Sequence, residues 1–247
     1  MFTITSDNAS SNEVAIDYVK KSTERDSSIL GGELMHMRCK HLLNLIVQSR
    51  LKSIHESIAK VRNAVQYVRA SPARFEKFQE CVENLKIKAK FLLSLNVPTR
   101  WNSTYLMLDY ALKFVRTFDR LEEEDGHDKL YFREIDGNGK KPIDPPNYLD
   151  WKNVKTFMKF LGIFYEAILR FFRFLFVTSN SYFHELINIK DQLQQLCNVD
   201  GDLLLKSMAI ETKKKYDKYW GSIDNINLML FVAVVLDPRY RSKYVKF

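Results

Sequence analysis

Trp151, Val154, Met158, Leu161, Tyr165, Ile168, Phe172 and Leu175 return at steps of three and four over about 25 residues. That rhythm places one apolar stripe on an α-helix and suits no strand, whose side chains alternate with a period of two. It recurs at Ile54, Ile58, Val61, Val65 and Val68. A chain with two such stripes must pack helix on helix to bury them, so the pattern predicts a mainly α fold.

The breaks in this pattern are chemically marked. Ser71-Pro72 ends one helix, and Ser71 is placed to cap a second running from about Pro72 to Leu85. Asn96-Val97-Pro98 marks the next break, because the residue before proline is pushed out of the α region. A helix is expected from Trp101 to about Leu121, then a flexible surface loop near 122–147, where Gly137, Gly139, Pro142, Pro145 and Pro146 gather. Further helical stretches are expected near 180–197, 201–220 and 225–236. Only the beginning reads differently. Met1 to Thr5 is β-branched and aromatic, Asn12 to Lys21 reads as a helix, and Leu34 to Cys39 suits a second short strand.

Charge narrows the partners. With 38 Lys and Arg against 30 Asp and Glu the formal net charge is +8, a balance that favours a polyanion such as nucleic acid. Clusters at Lys86-Ile87-Lys88-Ala89-Lys90, Lys213-Lys214-Lys215 and Arg239 to Lys246 are either solvated faces or nonspecific phosphate contacts. Three scattered cysteines make no disulfide framework. The most apolar stretch, Ile163 to Val177, is broken by Glu166, Arg170 and Arg173 and is shorter than the ~20 residues a membrane helix needs, so no membrane partner is expected. The start of the chain lacks the basic and apolar regions of a signal peptide. No Gly-rich phosphate loop, Gly-x-Ser-x-Gly elbow or His-Glu-x-x-His helix occurs.

Three places carry possible chemistry. Asp7 stands at the tip of the first strand, where a carboxylate serves either as a divalent-metal ligand or as the cap of the following helix. Cys39 and His41 invite a zinc reading, but a structural site needs four ligands in spaced pairs, and Cys81 and Cys197 have no partners at such spacing. Arg100-Trp101 sits among Thr99, Asn102, Ser103 and Thr104 at a helix start. There the arginine can bind phosphate, and the indole can either stack on an unpaired base or anchor a core.

Three segments in this order resemble the plant and animal hAT transposases. They are Ile4-Thr5-Ser6-Asp7-Asn8-Ala9-Ser10-Ser11-Asn12, Arg38-Cys39-Lys40-His41-Leu42-Leu43-Asn44-Leu45-Ile46-Val47 and Pro98-Thr99-Arg100-Trp101-Asn102-Ser103-Thr104-Tyr105-Leu106-Met107-Leu108. Lys218-Tyr219-Trp220 and Leu236-Asp237-Pro238-Arg239-Tyr240 are similar to later signatures of the family. The resemblance implies an RNase H-like core interrupted by a large helical insertion. Here that means a partial core over 1–45, a truncated αβ start, followed by the insertion over 46–247. It implies an Asp-Asp-Glu triad with Mg²⁺ or Mn²⁺ for the complete family enzyme, with Asp7 as the second acidic residue. Cys39 and His41 correspond to the family's Cys-x-x-His motif, one residue short here, and Arg100-Trp101 to the pair that supports a DNA hairpin and its displaced base.

The same resemblance places the first Asp before this stretch and the Glu after it. The expectation is therefore a nuclear, nonspecific DNA-binding fragment from a transposable element that does not cut DNA and needs no cofactor of its own. A protein-interaction scaffold that self-associates through apolar helix faces is the competing expectation.

Overall fold

The computed structural model describes residues 54–88, 101–124, 143–173 and 179–221, strand residues 3–5 and 35–37, and a few isolated positions. The chain divides into two compact units, the first made of Met1–Gln48 with Ile163–Phe247 and the second of Ser49–Gly162. The first is thus discontinuous in sequence.

The second unit begins with α1 (His55–Arg69), whose predicted stripe of Ile58, Val61, Val65 and Val68 is buried, with Ile54 just before it. Ala70 and Ser71 turn the chain into α2 (Pro72–Asn84). Ser71 holds the cap position in extended backbone, but its side chain makes no capping bond; Pro72 supplies the stop and start. Across this corner the Arg74 guanidinium lies 4.2 Å from the Tyr67 ring centre. The α2 terminus closes with Ile87 N–H donating to Val82 O and Lys86 N–H to Glu83 O, a Schellman arrangement that holds Lys86 at φ 51°.

The helix expected from Trp101 to Leu121 is two helices, α3 (Trp101–Lys113) and α4 (Val115–Glu124). The ladder tightens where Phe114 N–H donates to Ala111 O, three residues back rather than four. Phe114 and Phe118 then both close on Phe78 of α2, with ring centres 5.5 and 5.2 Å away. Phe118 in turn meets Trp151 at 5.6 Å. Trp151 belongs to α5 (Tyr148–Arg173), the long helix foreseen from its periodicity. Its portion in this unit buries Trp151, Val154, Phe157, Met158, Phe160 and Leu161. Of the loop expected near 122–147, residues 125–131 and 133–142 lie outside the described residues.

In the first unit, β1 (Thr3–Thr5) and β2 (Met35–Met37) pair in parallel, Thr3 opposite Met35 and Thr5 opposite Met37. Parallel neighbours need a crossover, and Val14, Tyr18 and Lys21 between them have helical backbone. Past Gly162, α5 buries Phe164, Ala167 and Ile168, and Arg170 reaches Glu185 at 2.9 Å. Glu185 lies on α6 (Ser179–Cys197), which forms a hairpin with α7 (Leu203–Trp220). Gly201 takes φ 92° in the connection, and Asp202 caps α7 by accepting from Leu205 N–H at 3.0 Å. Leu186, Ile189 and Leu193 of α6 and Leu205, Met208, Ala209 and Tyr216 of α7 are buried, and the Tyr216 hydroxyl donates to Leu186 O. Val234 and Val235 are helical within the last stretch expected as a helix; the rest of 225–236 lies outside the described residues. None of the described helices is long and apolar enough to cross a membrane.

Candidate nucleic-acid interface

The start of α5 is held by a compact polar knot. Asn147 and Asp150 form a reciprocal cap: Asn147 N–H donates to the Asp150 carboxylate and Asp150 N–H to Asn147 Oδ1, both at 3.0 Å. Asp150 also accepts from the Ser57 hydroxyl at 2.8 Å and from Lys60 Nζ at 3.2 Å. Burial pushes the Asp150 carboxyl up, but the Asn147 amide, Ser57 and Lys60 outweigh it and hold the group below its ordinary value. Two neighbouring helices are thereby keyed together, which fixes the rotation of α5 about its axis.

That rotation turns one line of side chains outward. Tyr148, Lys152, Lys155 and Lys159 occupy i, i+4, i+7 and i+11, within one narrow face opposite the core stripe. All four are exposed, Tyr148 to 83%. Several cations on other helices are matched by carboxylates a turn away, as in Lys113–Asp109 at 2.7 Å, Arg120–Glu124 at 2.6 Å and Lys213–Asp217 at 2.7 Å. Lys152, Lys155 and Lys159 form no ion pair among the described residues. Lys213 of the basic run 213–215 is in this way partly neutralised, and the three α5 lysines, aligned on one face, are not so matched among the described residues.

Beside this face runs an open groove of about 560 Å³. Leu112, Val115 and Asp119 line one side; Tyr148, Trp151, Lys152 and Lys155 line the other. Burial and the neighbouring Glu123 push the Asp119 carboxyl above its usual value. Trp151 is buried, and its indole N–H has no acceptor among the described residues.

Of the residues singled out in the sequence, Asp7, Cys39, His41 and Arg100 lie outside the described residues. Trp101 opens α3 and is 4% exposed, with Thr104 buried one turn on. In this conformation its ring is part of the packing of the second unit. Among the described residues no three His, Cys, Asp or Glu gather into a metal-binding group.

Two family profiles match the chain. One, described as the ZBED1 RNase-like helical domain, covers residues 37–159, and the other, described as hAT-like transposase, RNase-H fold, covers residues 180–247. The chain belongs to the hAT transposase family. Among its relatives, the zinc finger BED domain-containing protein RICESLEEPER 2 of Oryza sativa is 34% identical over 255 residues, taking in all of this chain and 32% of that protein. RICESLEEPER 1 of the same plant is also 34% identical, again over all of this chain and 32% of its own length. A Zea mays protein named as an AC transposase is 32% identical over 250 residues, all of this chain and 29% of its own length. The chain thus spans about a third of the curated relatives it matches. No solved structure matches it.

Within this hAT chain the helical-domain profile takes in Cys39, His41, Arg100 and Trp101 as well as the lysine face of α5. The RNase H profile falls on the segment carrying α6 and α7. The sequence reading did not single out Tyr148, Lys152, Lys155 and Lys159. The signal was present as three lysines at helical spacing on the polar side of the strongest apolar stripe, with no acidic residue interleaved on that face.

Proposed function

We propose that these 247 residues are a DNA-binding portion of a hAT-type transposase and do not cut DNA by themselves. The lysine face of α5 carries this reading: three exposed cations without carboxylate partners, spread over about 10 Å, oppose about three successive phosphates of one strand. The net charge of +8 supports it, and the transposase family supplies the nucleic acid as DNA. A DNA target makes the nucleus the site of action.

Arg100 and Trp101 remain in this proposal as the hairpin-supporting pair, with His41 and Cys39 alongside. Trp101, buried in this conformation, would swing out to stack on the displaced base. Asp7 is one carboxylate of the Asp-Asp-Glu set, which in the complete enzyme would hold Mg²⁺ or Mn²⁺; one carboxylate does not hold two metal ions.

The test is binding of the whole chain to duplex and hairpin DNA at two salt concentrations. Lys152→Gln, Lys155→Gln and Lys159→Gln together should reduce the salt slope on duplex by about 3. Absence of salt-dependent binding at micromolar protein would remove the DNA claim, and an unchanged slope would remove the α5 assignment. Mg²⁺-dependent nicking that disappears in Asp7→Asn would overturn the non-cutting part. Trp101→Ala should weaken hairpin binding more than duplex binding.

Exposure of Tyr148 and Leu149 side by side favours one second reading, self-association through this end of α5. Light scattering that shows oligomers without any DNA binding would select it.

A further inference from the structure

We infer that the groove between the α3–α4 corner and the first turns of α5 receives an unpaired base of a DNA strand, while the phosphates of that strand follow Lys152, Lys155 and Lys159. The inference rests on the DNA-binding reading and deepens it from a charge to a substrate form. Single-strand sites combine a basic track with an aromatic face on which a base can stack. Both parts are present here on one helix face. Tyr148 stands at one end of the lysine line, 83% exposed, so its ring is a ready platform.

The groove behind it has the character of a base pocket rather than of a phosphate site. Leu112, Val115 and Trp151 give it apolar walls, and its volume of about 560 Å³ lies in the range of small-ligand clefts. Asp119 on the far wall would repel a phosphate but accepts well from an exocyclic amino group, as a carboxylate does from cytosine. Trp151 lines the same groove with its ring. A duplex offers this groove no base face, because its bases are stacked on each other. A strand with an unpaired base offers the face, the amino group and the phosphates together.

The experiment measures binding of labelled single strands and duplexes of about 20 nucleotides to the whole chain and to Tyr148→Ala. The exposure of Tyr148 leaves folding intact, which circular dichroism of the variant verifies. Loss of one stacked base weakens single-strand binding about tenfold and leaves duplex binding within about twofold. Tyr148→Phe restores the wild-type value, because the ring and not the hydroxyl stacks. A strand of abasic sugars is indifferent to Tyr148→Ala. Strands of dC bind better than strands of dT, and Asp119→Asn removes that preference. Equal effects of Tyr148→Ala on single strand and duplex, or no effect on either, overturn the base pocket while leaving phosphate binding by α5 standing. No DNA binding by the wild-type chain removes the underlying reading instead. Oligomers that dissociate in Tyr148→Ala with single-strand affinity unchanged would assign the groove to a second copy of the chain.

Discussion

Asp150 ties the first turn of the longest helix to α1, so its removal should cost far more than that of a typical helix carboxylate. Asp150→Ala deletes the return half of the Asn147 cap, worth about 1 kcal/mol, and charge-assisted bonds from Ser57 and Lys60, which run at about 1.5–3 kcal/mol each before overlap. These groups act as one network, so the losses do not add. Lys60 also keeps a partner, Glu56 at 3.3 Å. The expected net loss is about 3 kcal/mol. Asp109→Ala serves as the comparison: its pair with Lys113 is about 40% exposed on both sides and should cost no more than about 0.5 kcal/mol. Urea unfolding followed by tryptophan emission reads the difference. In a Trp220→Phe background the remaining indoles, Trp101 and Trp151, both report on the second unit. With a slope of about 2 kcal/mol/M, the Asp150→Ala midpoint should fall by about 1.5 M. The pH dependence has a definite sign. Because the folded carboxyl sits below its ordinary value of 3.8, its contribution is complete above that value and is lost as the pH falls through the folded one. The gap between wild type and Asp150→Ala should therefore close below about pH 4. A gap that stays constant from neutral pH down to about pH 3, or a cost no larger than that of Asp109→Ala, would refute the reasoning.

Three further outcomes follow from local geometry. Lys86→Gly should stabilise the second unit by about 0.5–1 kcal/mol, since a lysine occupies the left-handed position of a Schellman turn; a lower urea midpoint would contradict this. Gly201→Ala should do the reverse in the first unit, by about 1 kcal/mol, although open space surrounds the position, because φ 92° strains any side chain; thermal melts monitored at Trp220 decide it. Cys81 is buried, and burial with the nearby Glu124 pushes its thiol up, so alkylation at neutral pH should proceed about tenfold or more slower in the folded chain than in urea; peptide mass spectrometry showing equal rates would be against it.

The helical body was legible because its stripes are long and unambiguous. Ile58 to Val68 and Trp151 to Ile168 announce both helices and the faces they bury, and Pro72 fixes the start of α2. The break at Phe114 was not legible, because Leu108, Ala111, Phe114, Phe118 and Leu121 keep the same apolar spacing whether or not the backbone ladder tightens by one residue. Nor does the pattern mark the passage between compact units at Gly162, since α5 runs through it and glycine within a helix need not interrupt it.

The candidate interface was hidden for a different reason. Motif reading favours unusual residues, so it found Arg100-Trp101 and Cys39-Lys40-His41 and passed over lysines on an ordinary polar helix face. What gives Lys152, Lys155 and Lys159 their weight is relational. Asp150, the one acidic side chain in their part of α5, is turned inward and engaged by Ser57, Lys60 and Asn147. The same knot that keeps α5 docked thus withdraws a negative charge from its outer face. Two variants separate these roles: Ser57→Ala should loosen the knot and lower stability with little change in the salt slope of DNA binding, and Lys155→Glu should leave stability within about 0.5 kcal/mol and weaken DNA binding. If both substitutions moved stability and binding together, docking and phosphate contact would not be separable functions of α5.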